Sequence, residues 1–256
     1  MNDASRQERE VAHWKAWQDQ AESVWGWQTP AGQVRSRRRA RLFQELGRMT
    51  PHSLVLEIGC GTGEFTHQLA PHVGHLHAID LSPDLLAKAT AKVRATCPRA
   101  SIAFEIQDAM NLRLPDNQFD TVFGCSILHH VDARLALAEV HRVLKPAGWC
   151  VFSEPNMMNP QIALQKNVGF IKRRMGDSPD ETAFFRWQMK HWLAQLGFGE
   201  ISIRYFDFLH PLTPKVCIRA MENLGAIMEA CPMVRAISGS LMCWAQKPPV
   251  APVRTL

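Results

Sequence analysis

The stretch Leu54-Val55-Leu56-Glu57-Ile58-Gly59-Cys60-Gly61-Thr62-Gly63 runs an apolar strand into three glycines at alternate positions, after which Phe65 and Leu69 recur at helical spacing. Glycine permits the tight turn and leaves room for a ligand against the backbone N–H groups of the helix N-terminus, where an anionic group belongs. Taken alone, such a turn fits several nucleotide-binding chemistries and also a plain strand-to-helix connection. Two acids outside it decide. Asp80 ends the second strand about 20 residues after the turn, where a carboxylate can accept from both ribose hydroxyls. Asp108 ends the third, placed to accept from an adenine amino group, with Leu81 and Met110 as apolar flanks for the ring. A dinucleotide site would use G-x-G-x-x-G, a spacing this turn lacks, and would leave Asp108 without a task.

From residue 53 onward short apolar runs alternate with helical patterns, the signature of an α/β fold with a mostly parallel sheet and crossover helices. Seven strands are expected: Ser53–Ile58, His75–Asp80, Ser101–Gln107, Phe119–Cys125, Trp149–Glu154, Ile201–Phe208 and Gly239–Ala245. Ser82 and Pro83 open a helix bearing Leu86, Ala89 and Val93. Asp132 opens another bearing Leu137, Val140 and Leu144, ended by Lys145-Pro146-Ala147-Gly148.

With 256 residues, 46% hydrophobic and 21% charged, the chain has the composition of an ordinary globular protein, and one domain with insertions is expected. No apolar run approaches the roughly 18 residues that span a bilayer, and the opening residues lack a signal peptide's apolar core, so the expected location is the cytoplasm, away from membranes. The seven cysteines are scattered and never form C-x-x-C, which supports neither a disulfide framework nor a zinc site; no metal is expected. A net charge of +5 admits an anionic substrate or nucleic acid without requiring either.

The glycine turn, Asp80 and Asp108 are joined by Phe119-Asp120-Thr121-Val122-Phe123-Gly124-Cys125-Ser126-Ile127-Leu128-His129-His130-Val131 and Leu144-Lys145-Pro146-Ala147-Gly148. Together they resemble the class I S-adenosylmethionine-dependent methyltransferases over about residues 53 to 154. The resemblance implies a Rossmann-like, doubly wound sheet of seven strands, mostly parallel with the last antiparallel. It implies S-adenosylmethionine as methyl donor and S-adenosylhomocysteine as product. Carried over, the cofactor contacts fall on Glu57, Gly59, Cys60, Gly61, Gly63, Asp80, Leu81, Asp108, Ala109, Met110 and Cys125. Glu57 has a second reading, orienting the loop through backbone hydrogen bonds.

Methyl transfer from a sulfonium is an in-line displacement, so the enzyme chiefly aligns the nucleophile and excludes water. A hydroxyl or activated carbon acceptor gains from a base near neutral pKa, and His129 and His130, just past the fourth strand, are the candidates, His130 preferred. The alternative is that the pair only holds its loop or touches the cofactor carboxylate. Glu154 and Asn156 leave the fifth strand at the same edge as candidate substrate contacts, though Glu154 could equally cap the next helix.

Two regions fall outside the strand-and-helix rhythm and read as substrate-side elements: an N-terminal helical cover, residues 1–50, and an insertion, residues 156–182. In the cover, Trp25 and Trp27 are candidates to close over cofactor or acceptor, and Arg35 to Arg41 fit an amphipathic helix with a charged outer face. In the insertion, Lys172-Arg173-Arg174 read as a solvated basic face, and Phe184, Phe185 and Trp187 just beyond it as packing or a pocket wall. Asp207 and His210 form a polar cluster without an evident purpose. A small-molecule acceptor is the leading expectation, natural-product or sugar-linked. An RNA methyltransferase using the arginine face and a non-catalytic cofactor-binding partner protein are the alternatives.

Overall fold

The computed structural model describes residue 22, residues 25–178 and residues 180–250. Trp14 and Trp17 of the expected cover, and Pro179 of the insertion, lie outside the described residues.

Strands β1 (Leu54–Ile58), β2 (His75–Asp80), β3 (Ile102–Ile106), β4 (Phe119–Cys125), β5 (Leu144–Pro155), β6 (Gly199–Phe206) and β7 (Ser240–Gln246) form one sheet. Its order is β3-β2-β1-β4-β5-β7-β6. Strands β1 to β5 pair in parallel, and β7 lies antiparallel between β5 and β6. All seven expected strands are present. The order reverses between β1 and β4, which opens a crevice at the carboxyl ends of those two strands.

Alternate residues of the central strands feed two cores, one on each face of the sheet. Leu56, Ile58, Val122 and Phe152 face α4 (Ala133–Val143) and α7 (Arg186–Gln195). Val55, Phe123 and Val151 face α1 (Pro30–Leu46), α2 (Thr66–Leu69) and α3 (Pro83–Thr96). Burial on both faces explains why β1 reads as a continuous apolar run instead of an alternating one. Local punctuation acts as its chemistry requires. Ser82 accepts from the Leu85 N–H ahead of Pro83, and Asp132 accepts from the N–H groups of Arg134 and Leu135.

Some boundaries differ from expectation. Leu144 leaves helical geometry and already pairs with Phe119, so β5 begins there, with Ala147 left-handed in the bulge that follows. Asp207 is also left-handed, at φ 74°, and ends β6 at Phe206. The helix expected near Phe184 starts at Arg186.

The largest departure concerns α1. Arg37 and Arg41 are exposed, but Arg39 is on the buried face with Ser36, Ala40 and Phe43. Both Arg35 Nε (2.8 Å) and Arg39 Nη2 (2.6 Å) reach Asp207 Oδ2, and Arg38 grips both oxygens of Glu229. The expected outer basic face is therefore divided, with its centre turned inward. Asp207 is the shared counter-ion of two guanidinium groups, which gives the isolated polar cluster its purpose. Burial raises its pKa, and the charges of Arg39 and Arg35 outweigh that and leave it lowered.

Removing one partner of a buried ion cluster leaves charge uncompensated, so Asp207→Ala is expected to cost about 3–5 kcal/mol in urea unfolding at pH 7. A carboxylate whose folded pKa is depressed contributes stability above its unfolded pKa and loses it as pH falls through the folded one. The gap between Asp207→Ala and the parent should accordingly narrow below about pH 4.

Candidate active site

A cavity of about 520 Å³ occupies the crevice at the carboxyl ends of β1 and β4. Within it the glycine turn is held from below: the N–H groups of Gly59 and Cys60 both donate to the Ile79 carbonyl. Gly59 (φ 69°) and Gly61 (φ 53°) are left-handed, and a Cβ on Gly61 would come within 3.0 Å of the Trp25 ring. Backbone therefore forms the floor there, with Trp25 close above it. Asp80 Oδ2 accepts from the Gly61 N–H at 2.8 Å and Oδ1 from the Ser82 N–H at 2.9 Å, so its carboxylate is fixed by the turn it adjoins. Gly59, Cys60, Gly61, Asp80, Leu81, Ala109, Met110 and Cys125 all line the cavity, as does Trp27, whose ring stands edge-on to Phe65.

Other residues singled out from the sequence lie behind the wall. Gly63 (φ 77°) is where α3 comes closest: a Cβ there would meet Ala89 at 3.0 Å. Glu57 is 2% exposed and accepts from Thr66 Oγ1; burial, helped by Asp80, pushes its carboxyl up to about 8 against the pull of that bond. The bond shown ties it to the first residue of α2, not to the backbone of the glycine turn. Asp108 is absent from the cavity lining, and its Oδ1 accepts from the Met110 N–H. The neighbouring Gln107 does line the cavity. It is 3% exposed, its Oε1 is taken by the Arg113 N–H, and its Nε2 has no hydrogen-bond partner among the described residues. A buried donor left unpaired costs about 1–3 kcal/mol, and Nε2 itself exposes almost no surface to the cavity. Sequence reasoning missed it because an amide next to an acid carries no motif.

Asn156 and Glu154 serve the scaffold. Asn156 is fully buried: its Nδ2 donates to the carbonyls of Ala236 and Ser238 and its Oδ1 accepts from the Met158 N–H, which clamps the end of β5 to the approach of β7. It has no face left for a substrate. Glu154, 1% exposed, accepts from the N–H groups of Ile127 and Leu128 and meets His129 Nδ1 at 2.8 Å. Burial pushes Glu154 up to about 7 despite those donors. Neither lines the cavity, and neither does His129; Phe184, Phe185 and Trp187 are also outside it.

His130 does line the cavity, and its Nδ1 lies 3.1 Å from Glu181 Oε1. Ligand-type atoms of His129, His130 and Glu181 lie within 4.8 Å of one another, close enough for a cation. Lys166 Nζ already stands 2.9 Å from Glu181 Oε2, and Glu154 holds His129, so the cluster is compensated by its own ions. Arg35 and Arg39 also line the cavity, as does Cys125, their guanidinium groups 5.8 and 5.6 Å from the Trp27 ring centroid. Burial, with Glu154 adding to it, pushes the Cys125 thiol up to about 11, so it is a neutral wall residue at pH 7.

Residues 55–148 match the family described as methyltransferase domain. The chain is 33% identical over 119 residues to O-methyltransferase cnsE of Penicillium expansum, covering 44% of this chain and 43% of that protein. It is 33% identical over 184 residues to a demethylmenaquinone methyltransferase of Lactobacillus johnsonii, covering 64% and 75% respectively. Against several of its curated relatives, such as cnsE, it spans less than half their length. The N-methyltransferase NodS of Bradyrhizobium japonicum, solved with S-adenosyl-L-homocysteine, shares the fold with a TM-score of 0.58 at 19% identity, covering 86% of this chain and 89% of that one. The sheet order, the glycine turn closed by Asp80 and these matches agree: the chain belongs to the class I S-adenosylmethionine-dependent methyltransferases.

Proposed function

We propose that the protein transfers a methyl group from S-adenosylmethionine to a small-molecule acceptor, with S-adenosylhomocysteine as product and His130 as general base. The observation that carries this reading is the crevice cavity, whose lining brings the glycine turn and Asp80 together with Trp25, Trp27, Arg35, Arg39 and His130. Its 520 Å³ falls within the range of about 300–1,000 Å³ usual for small-ligand pockets.

The residues fit the donor. The glycine turn and Asp80 offer a backbone floor and a ribose acceptor. Asp108 would act by holding Met110, which lines the cavity, in place. Arg35 and Arg39 supply the positive charge that a carboxylate needs. When bound, S-adenosylmethionine supplies a methyl group on a sulfonium that leaves as a neutral thioether. The chain's own task is to hold the acceptor in line, exclude water with Trp25 and Trp27, and take a proton at His130.

Acceptors of relatives named for quinones or for O-methylation are small molecules, which supports the same class here. The RNA alternative loses its footing because Arg35 and Arg39 face inward and Arg38 is paired with Glu229.

Incubating the protein with methyl-labelled S-adenosylmethionine and a metabolite extract of its own organism should label a small molecule and release S-adenosylhomocysteine. Label entering bulk RNA instead would overturn the acceptor class, and no transfer to any fraction would favour a cofactor-binding partner protein. Asp80→Ala should weaken S-adenosylhomocysteine binding by about 10- to 100-fold in calorimetry, the worth of hydrogen bonds to a charged group. His130→Ala should lower turnover by about 100-fold or more while that binding changes little.

A further inference from the structure

The insertion reaches the cavity through charge. Glu181, at its end, has a side chain 4% exposed, and its two oxygens face opposite ways in function: Oε1 toward His130 Nδ1 at 3.1 Å, Oε2 toward Lys166 Nζ at 2.9 Å. Lys166, itself 8% exposed, projects from α5 (Pro160–Asn167) and also pairs with Asp177 Oδ2 at 3.0 Å. Asp177 is held in turn by Gln165, whose Nε2 reaches both its oxygens. Lys172, from α6 (Gly169–Arg174), donates to the Glu181 carbonyl. Lys166 thus reaches the Glu181 carboxylate directly, Asp177 and Gln165 brace Lys166, and Lys172 holds the Glu181 backbone; the carboxylate itself stops at a histidine of the cavity wall.

From this geometry we infer that Glu181 is a positioning residue for His130, and that Lys166, itself paired with Asp177, holds Glu181. The inference rests on His130 acting as the base. A carboxylate on Nδ1 keeps that proton in place and leaves the lone pair on Nε2, the tautomer a base needs, and it stabilises the imidazolium that forms. As the acceptor's nucleophilic atom bonds to the methyl carbon and the carbon–sulfur pair returns to sulfur, the acceptor proton passes to Nε2. The imidazolium then keeps Nδ1–H on Glu181 until Nε2 releases its proton to water.

Other groups face His130 and share in setting its charge. Glu154 lies behind His129, whose ring centroid is 4.1 Å from that of His130, and Asp80 is near enough for their charges to interact. Glu181 differs from both in being reached directly by Nδ1. Burial raises its pKa, and the charges of His130 and His129 when they are protonated, together with Lys166, outweigh this and leave it lowered; with His130 neutral, Lys166 is the permanent charge on it.

The test uses the whole chain, labelled with ¹⁵N in histidine and saturated with S-adenosylhomocysteine, with His130 assigned by comparison with His130→Gln. The parent should show His130 with its proton on Nδ1; a proton on Nε2 of the neutral ring overturns the proposal without any variant having to fold. In Glu181→Gln, loss of the negative charge should lower the pH at which His130 titrates by about one unit or more. The acid limb of methyl transfer into the metabolite extract should move down with it, while turnover falls about 10-fold or more. An unmoved titration and acid limb in Glu181→Gln, with His130→Ala inactive, would reject the role of Glu181 and leave His130 as the base. Full turnover in His130→Ala would reject both.

Discussion

A carboxylate buried at the end of β6 stays charged only because α1 sends two guanidinium groups to it, and much of the site depends on that constraint. Asp207 sits in left-handed backbone, its N–H bonded to Glu229 and its carbonyl to the Gly239 N–H, so it cannot drift from the junction of β6, α8 (Ile218–Ala230) and the approach to β7. Arg39 adds bonds to Ser153 of β5 and Ser240 of β7. One helix is thereby tied across three strands. Its docking also brings Trp27 against Phe65 and sets Arg35 and Arg39 in the cavity lining. Because desolvated charges are costly unless fully paired, the interaction specifies a single seating of α1 more than it adds net stability.

That seating explains why the fold was legible in the sequence and half of the site was not. Strands, glycine turn and caps are local: the Ser82 and Asp132 caps join residues three or fewer positions apart, and strand burial on both faces writes itself as an apolar run. Asp80 was legible for the same reason, since it ends a strand next to the turn it serves. The inward arginines were not. Arg35 meets a partner 172 positions away, and from spacing alone a basic run on a helix reads as a solvated face.

Asn156 and Glu154 illustrate a second limit. Both stand at the carboxyl edge of β5, where the doubly wound fold gathers ligand contacts, and position alone nominated them. The edge, however, must also satisfy the backbone of the loops that leave it. Asn156 spends its amide on Ala236, Ser238 and Met158, and Glu154 spends its carboxylate on the loop after β4. A buried polar group is drawn to the nearest unsatisfied backbone, and whether that is scaffold or ligand is a tertiary matter.

The two adjacent histidines show what distinguishes a scaffold pair from a working one. Each has Nδ1 on a buried carboxylate, yet the carboxylates differ: burial pushes Glu154 up to about 7, whereas nearby positive charge holds Glu181 below the usual range. Both carboxylates feel His130 when it is protonated; Glu181 has in addition the charges of His129 and of Lys166, the latter on its far oxygen, whereas the far oxygen of Glu154 receives only neutral N–H donors. Neutral donors suffice to fix a loop. A carboxylate that must stay ionised beside a histidine gaining a proton needs a permanent charge behind it, and the segment between β5 and α7 provides one.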